Sequence, residues 1–141
     1  MNRFIIATHS TLAEGFANVI RFFNAELEHV QFINAYVENQ EFEKEFRACL
    51  ESVKGQNVIV CTDILGGSVN QVAARLMPEY DYQLVTGINL PLLLEMIFVP
   101  NDIHEEQIDE IVARAKEQII HLRRDTLAEH VLADGEETDE L

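Results

Sequence analysis

An apolar run that stops on a polar residue and opens at once into an amphipathic segment occurs twice in this chain. That feature narrows the possible folds more than any other. The first case is Phe4-Ile5-Ile6-Ala7-Thr8-His9-Ser10, continued by Thr11-Leu12-Ala13-Glu14-Gly15. The second is Val58-Ile59-Val60-Cys61-Thr62-Asp63, continued by Ile64-Leu65-Gly66-Gly67-Ser68. A short strand that is apolar at successive positions is buried on both faces, which is the situation in a parallel sheet covered by helices on each side. Ser10 and Thr11 are both good helix N-caps, so a helix is expected within a residue or two of His9. His9 then stands at the mouth of the sheet, beside free backbone N–H groups that favour an anion.

The rest of the chain continues the alternation. Leu12, Phe16, Val19, Ile20 and Phe23 predict one apolar helical face ending near Asn24. A second strand is predicted over Val30–Val37. A helix follows over Glu41–Val53, with Phe42, Phe46, Cys49, Leu50 and Val53 inward and Gly55 placed to stop it. Ser68 is placed to cap a helix running to about Met77, before Pro78. Tyr82–Thr86 reads as a fourth strand, and Gly87-Ile88-Asn89-Leu90-Pro91 opens a helix that closes near Pro100, with Pro91 in its first turn. A last helix is expected over Glu105–Leu122, on a stripe of Ile108, Ile111, Val112, Ala115, Ile119 and Leu122. Alternating strands and helices define an α/β fold, a mostly parallel sheet with helices on both faces. Right-handed crossovers then require the strand order to reverse. In the order 2-1-3-4, strands one and three are neighbours at the reversal, where ligands of such folds bind, and His9 faces Asp63 there. Residues 1–124 are expected to form one domain, and 125–141 an acidic tail that is partly disordered. Within the tail, Leu127–Ala133 has the apolar content for a short extra edge strand.

Charge removes several functions. Lys and Arg number 10 against 25 Asp and Glu in 141 residues, a formal charge of −15. The tail holds seven of those acids and no Lys or Arg, which leaves 18 acids against 10 bases in the body. Nucleic acid and anionic lipid are poor partners for such a surface. No basic-then-apolar leader opens the chain and no run is long enough to span a membrane, so the cytoplasm is the expected compartment. Cys49 and Cys61 have no disulfide or zinc spacing and read as small buried apolar side chains. Neither G-x-x-x-x-G-K-[ST] nor G-x-G-x-x-G occurs, so no nucleotide cofactor is expected. His29, His104, His121 and His130 show no metal-ligand pairing, and no metal is expected.

The chemistry therefore concentrates on His9 and Asp63. A carboxylate accepting one ring N–H fixes the tautomer and leaves the other nitrogen free as a nucleophile. Gly66 and Gly67 lack Cβ atoms, so backbone there can come close to a phosphoryl group and point amides at it. Each residue also has a plain reading, Asp63 as a helix cap and Gly66-Gly67 as a tight turn. Because Asn caps nearly as well as Asp, Asp63→Asn is expected to keep its melting temperature. A Ser68-His9-Asp63 hydrolytic triad is conceivable, but the G-x-S-x-G elbow is missing and Ser68 reads as a cap.

These motifs resemble the IIA component of mannose-type (mannose/fructose/sorbose) sugar phosphotransferase systems of bacteria. The resemblance runs to about Leu122. It rests on Ala7-Thr8-His9-Ser10 with Leu12-Ala13 and Gly15, on Thr62-Asp63-Ile64-Leu65-Gly66-Gly67-Ser68, and on Gly87-Ile88-Asn89-Leu90-Pro91 with Leu94-Glu95. It implies that His9 takes a phosphoryl group from phospho-HPr and passes it to a IIB protein on a separate chain, with Asp63 orienting the ring. Ser10, Gly66, Gly67 and Ser68 would hold the phosphoryl group, and Thr8 and Asn89 would line the pocket. The membrane components IIC and IID would be reached only indirectly. It further implies a homodimer, formed by some members of this family through exchange of a final strand, and the apolar Leu90–Val99 segment has more hydrophobic positions than one buried helix face needs. Val69-Asn70-Gln71 departs from the Pro, Phe and Asn of many members, which suggests a subgroup with a different sugar. Two alternatives remain at this point: the phosphoryl-transfer subunit of dihydroxyacetone kinase, and a non-enzymatic regulatory module sensed through its phosphorylation.

Overall fold

The computed structural model describes residues 1–24, 26–36 and 41–127. In chain order the elements are β1 (Asn2–His9), α1 (Leu12–Phe23), β2 (Val30–Ala35), α2 (Phe42–Ser52), β3 (Asn57–Thr62), α3 (Ser68–Leu76), β4 (Gln83–Thr86), α4 (Leu90–Ile97) and α5 (Glu105–Lys116). The four strands form one parallel sheet in the order β2-β1-β3-β4, as expected. The chain steps from β1 to one side for β2 and to the other for β3, so the crevice between β1 and β3 is the switch point.

Side chains that alternate along β1 go to different layers. Phe4 and Ile6 join α1, α4 and α5 in one core, while Ile5 and Ala7 join α2 and α3 in the other. The two-sided demand explains why β1 and β3 are apolar without alternation. Fully burying each large side chain contributes about 1.5–3 kcal/mol, which fixes both strands and therefore the placement of their ends. At the far end of the sheet, buried Asn2 uses its whole amide. Its Nδ2 donates to the Val99 and Asn101 carbonyls at 3.3 and 2.8 Å, and its Oδ1 accepts from Asn57 Nδ2 and the Ile103 N–H at 2.8 and 3.0 Å. Both cysteines are free. Burial pushes the Cys61 thiol up to about 12, and burial with the neighbouring Glu45 pushes Cys49 up to about 11.

Four expectations need correction. First, α1 buries Ala13, Ala17 and Ile20, with Phe16 partly covered, while Leu12, Val19, Phe22 and Phe23 are exposed. The phase is set by a bond from the Ala13 N–H to Thr8 Oγ1 (2.7 Å), which brings the two small alanines against the sheet. Second, β2 stops at Ala35, because Tyr36 turns out of the strand at φ +64; Val37 lies outside the described residues. Third, α5 ends at Lys116, six residues short of Leu122. Asn89, the N-cap of α4, donates to the Ala115 carbonyl at 3.0 Å, so the last turn of α5 meets the start of α4 there. Ile119 and Leu122 are consequently exposed. Fourth, the apolar excess of Leu90–Val99 is absorbed within the chain: Leu92, Leu93, Met96 and Ile97 are buried, and Leu90, Leu94 and Val99 pack against them. The extra strand expected over Leu127–Ala133 falls on residues that, apart from Leu127, lie outside the described ones.

Candidate functional site

His9 is the last residue of β1, and Asp63 follows β3 directly. Because β1 and β3 are adjacent, their side chains meet across the switch point. Asp63 Oδ2 accepts the His9 backbone N–H at 2.9 Å and lies 3.1 Å from His9 Nδ1. Asp63 Oδ1 accepts the Ile64 N–H at 3.1 Å. The carboxylate can only accept, so the proton belongs on Nδ1 and the lone pair on Nε2. The Asp63 side chain is 7 % exposed and that of His9 is 36 % exposed, so the ring is held from behind and open in front.

On the open side, Ser68 Oγ lies 3.1 Å from Nε2 and can donate to its lone pair. Ser68 was expected to cap α3. Gly67 occupies the N-cap position instead, and no side chain caps the helix. The freedom of Ser68 comes from this one-residue shift: as the first helical residue, it turns its hydroxyl toward the ring. The same shift leaves the amides of Ser68, Val69 and Asn70 without intrahelical partners. They form a positive helix end beside Nε2, suited to an anion.

The glycines act differently from expectation. The Gly66 and Gly67 amides are both engaged, with Asn70 Oδ1 at 2.9 Å and the Ile64 carbonyl at 3.0 Å. Their use is conformational. Gly66 has φ +79, and a Cβ on Gly67 would come to 3.2 Å from His9 Cε1. The amides left without a partner here thus belong to α3, and not to the glycines. The N-terminus of α1 is also less open than expected, since Thr8 Oγ1 and Asn34 Oδ1 accept from Ala13 and Glu14.

His9, Asp63, Gly67 and Ser68 are brought together. Ser10 is exposed beside them at φ +54, with its amide donating to the Ala35 carbonyl. Thr8 is fully buried and caps α1, while Asn89 caps α4 by accepting from the Leu92 N–H at 3.0 Å. Both of these side chains serve the scaffold. Tyr36 carried no signal in the sequence. Its ring lies 5.8 Å from the His9 ring, tilted by 41°, and forms a wall of the site. A positive φ at a bulky aromatic is rare, and here it turns the ring toward the imidazole. Among the described residues no cluster of His, Cys, Asp and Glu is arranged to hold a metal, and no helix is long and apolar enough to cross a membrane.

A half-open imidazole, backed by a carboxylate and facing an uncapped helix, is an arrangement whose free nitrogen can act as a nucleophile toward an anion. The family model described as the PTS system fructose IIA component matches residues 3–116, and the chain belongs to that family. It is 29% identical over 120 residues to the mannose-specific EIIAB component of the phosphotransferase system from Escherichia coli strain K12, covering 80% of this chain but 36% of that protein. The chain thus spans about a third of the length of that curated relative. The structure is similar to that of the PTS IIA protein associated with the fucose utilization operon from Streptococcus pneumoniae, with TM-score 0.75 and 30% identity over 88% of this chain and 95% of that one. The mannose/sorbose specific IIA subunit from Enterococcus faecalis shares the fold, with TM-score 0.76 and 19% identity over 86% and 95% of the two chains.

Proposed function

We propose that this chain is a phosphoryl carrier in which His9 Nε2 takes a phosphoryl group from phospho-HPr and passes it to a IIB protein. The observation that carries this reading is the imidazole held between Asp63 at Nδ1 and Ser68 at Nε2. In the forward step the Nε2 lone pair forms a bond to phosphorus, and the bond from phosphorus to the donor breaks, its electron pair leaving with the donor. Nδ1 keeps its proton, and Asp63 offsets the positive charge that grows on the ring. The Ser68 hydroxyl turns from Nε2 to a phosphoryl oxygen, and the free amides of α3 face the others. Transfer to IIB reverses these changes.

On this reading residues 1–124 are the transfer domain, working in the cytoplasm, with 125–141 an acidic tail, and truncation at Asp134 is expected to leave assembly and transfer unchanged. Membrane components IIC and IID are reached only through IIB. A homodimer is part of the proposal. Its support is the exposed apolar stripe of α1, together with exposed Ile119, Ile120 and Leu122. β4 is an edge strand beside a groove lined by Thr86, Val112, Lys116 and Ile119, a place for a partner's final strand.

The test is phosphorylation with enzyme I, HPr and labelled phosphoenolpyruvate, comparing His9→Ala with substitutions of His29, His104, His121 and His130. Acid-labile label is expected in all but His9→Ala, and ATP is not expected to replace the donor. Label persisting on His9→Ala would refute the assignment.

A further inference from the structure

Two consecutive residues of α3 hold a single loop residue from both sides. Asn70 Oδ1 accepts the Gly66 N–H at 2.9 Å, and Gln71 Nε2 donates to the Gly66 carbonyl at 2.6 Å. The Asn70 amide nitrogen donates to Thr62 Oγ1 at 3.2 Å, and the Thr62 hydroxyl donates onward to Thr86 Oγ1 at 2.7 Å. Asn70 is 7 % exposed and Thr62 is fully buried, so this chain of bonds ties the loop to the ends of β3 and β4.

Burying an amide costs free energy unless its bonds are made, and an apolar residue at position 70 would avoid that cost. The bonds made here go to the residue whose conformation sterics restrain least. Gly66 sits at φ +79, so its peptide planes take their orientation from outside contacts. The Ile64–Gly67 turn sets three parts of the site. Ile64 donates to Asp63 Oδ1, Gly67 abuts the His9 ring, and Ser68 follows with its hydroxyl on Nε2. Neither Asn70 nor Gln71 hydrogen-bonds His9.

We infer that Asn70, assisted by Gln71, is a positioning residue for phosphoryl transfer, holding the Gly66–Gly67 turn so that Ser68 and the first turn of α3 stay aimed at His9 Nε2. This rests on the carrier reading above. A small misplacement of these groups weakens stabilisation of the transferring phosphoryl group without removing any group that touches it. The departure at Val69-Asn70-Gln71 from the Pro, Phe and Asn of many family members then has a local meaning: this chain holds the turn by two side-chain amides.

Single-turnover phosphorylation by excess phospho-HPr separates the rate constant from the amplitude, which counts folded molecules. Asn70→Ala is expected to lower the rate constant about tenfold, the upper range for loss of one hydrogen bond. Gln71→Ala, at an exposed position where folding is not at issue, is expected to lower it about threefold. Amplitudes should stay full, and the hydrolysis rate of the isolated phosphoprotein should change in both variants, a readout that a purely structural role would not move. A wild-type rate constant in Gln71→Ala together with losses confined to amplitude in Asn70→Ala would overturn the inference. If the wild-type protein itself is not labelled, the carrier reading falls and this inference with it. If the wild type is labelled and both variants match it, this inference alone falls.

Discussion

Replacing Asp63 by Asn separates catalysis from capping, and the structure sets the size of both effects. Asp63 accepts from the His9 N–H, from Nδ1 and from the Ile64 N–H. An amide offers one oxygen. Aimed at His9, it keeps the ring tautomer but leaves an NH2 group facing the Ile64 N–H, which can turn to water because Ile64 is exposed. Aimed at Ile64, it faces two His9 donors with donors of its own, so the first orientation is favoured. The expected cost is one hydrogen bond, about 1 kcal/mol, or roughly 3 °C in Tm for a chain of this length. An unchanged melting temperature, the expectation from capping alone, is therefore revised downward by the third bond.

Charge makes the kinetic effect larger. A full positive charge on the ring at 3.1 Å from the carboxylate oxygen would be stabilised by about 5 kcal/mol at an effective dielectric of about 20. With about half a charge developed in the transition state, and the ring partly open to water, about 2–3 kcal/mol is lost in Asp63→Asn. That corresponds to about 10²-fold in rate. The assay is single-turnover labelling from phospho-HPr alongside thermal unfolding. A protein that melts a few degrees lower yet is phosphorylated at close to the wild-type rate constant would return Asp63 to a capping role and refute the electrostatic argument.

Asn2→Ala should be among the more destabilising polar substitutions, since it removes four hydrogen bonds and strands the buried Ile103 N–H. A loss of about 2–3 kcal/mol is expected in denaturant titration, with phosphoryl transfer unchanged in the folded fraction; a loss below about 0.5 kcal/mol would place it with ordinary surface changes. Sedimentation equilibrium at micromolar concentration is expected to give a dimer. A monomer there would count against the exposed α1 stripe and the β4 edge as contact surfaces.

How legible the chain was depends on how local each cause is. β1 and β3 announced themselves because burial on two faces leaves little choice of residue, and their ends placed His9 and Asp63 at the switch point. The bond by which Thr8 holds α1 leaves no local mark in the sequence, because it reaches forward from within a strand across five positions to Ala13. The same bond rotated α1 away from the face that its leucine and phenylalanine spacing suggested. Ser68 was read as a cap from its place before a helical pattern, and one residue of shift in the helix start made it a partner of the imidazole. Tyr36 carried no signal, because a tyrosine at a strand end is ordinary in sequence, and Asn70 stood out only within the Val69-Asn70-Gln71 departure, which points to no structural role by itself. Their roles come from a positive φ in one case and burial against Thr62 in the other.

What stays exposed around the site has a physical reason on the carrier reading. Leu12, Ile64 and Leu65 are 47%, 56% and 78% exposed, and they sit at the two strand ends that carry His9 and Asp63. Each would gain by moving inward, yet α1 is held in phase by the Thr8–Ala13 bond and the Ile64–Gly67 turn by Asn70 and Gln71. An imidazole open to water on its Nε2 side protects the new nitrogen–phosphorus bond poorly by itself. On the carrier reading, exclusion of water during transfer then comes from the protein that delivers or removes the phosphoryl group, and exposed apolar side chains next to His9 and Asp63 in the chain are surface against which such a partner displaces water readily. Support behind the ring from Asp63 and exposed apolar residues beside it in the chain are, on that reading, two parts of one arrangement that a partner completes.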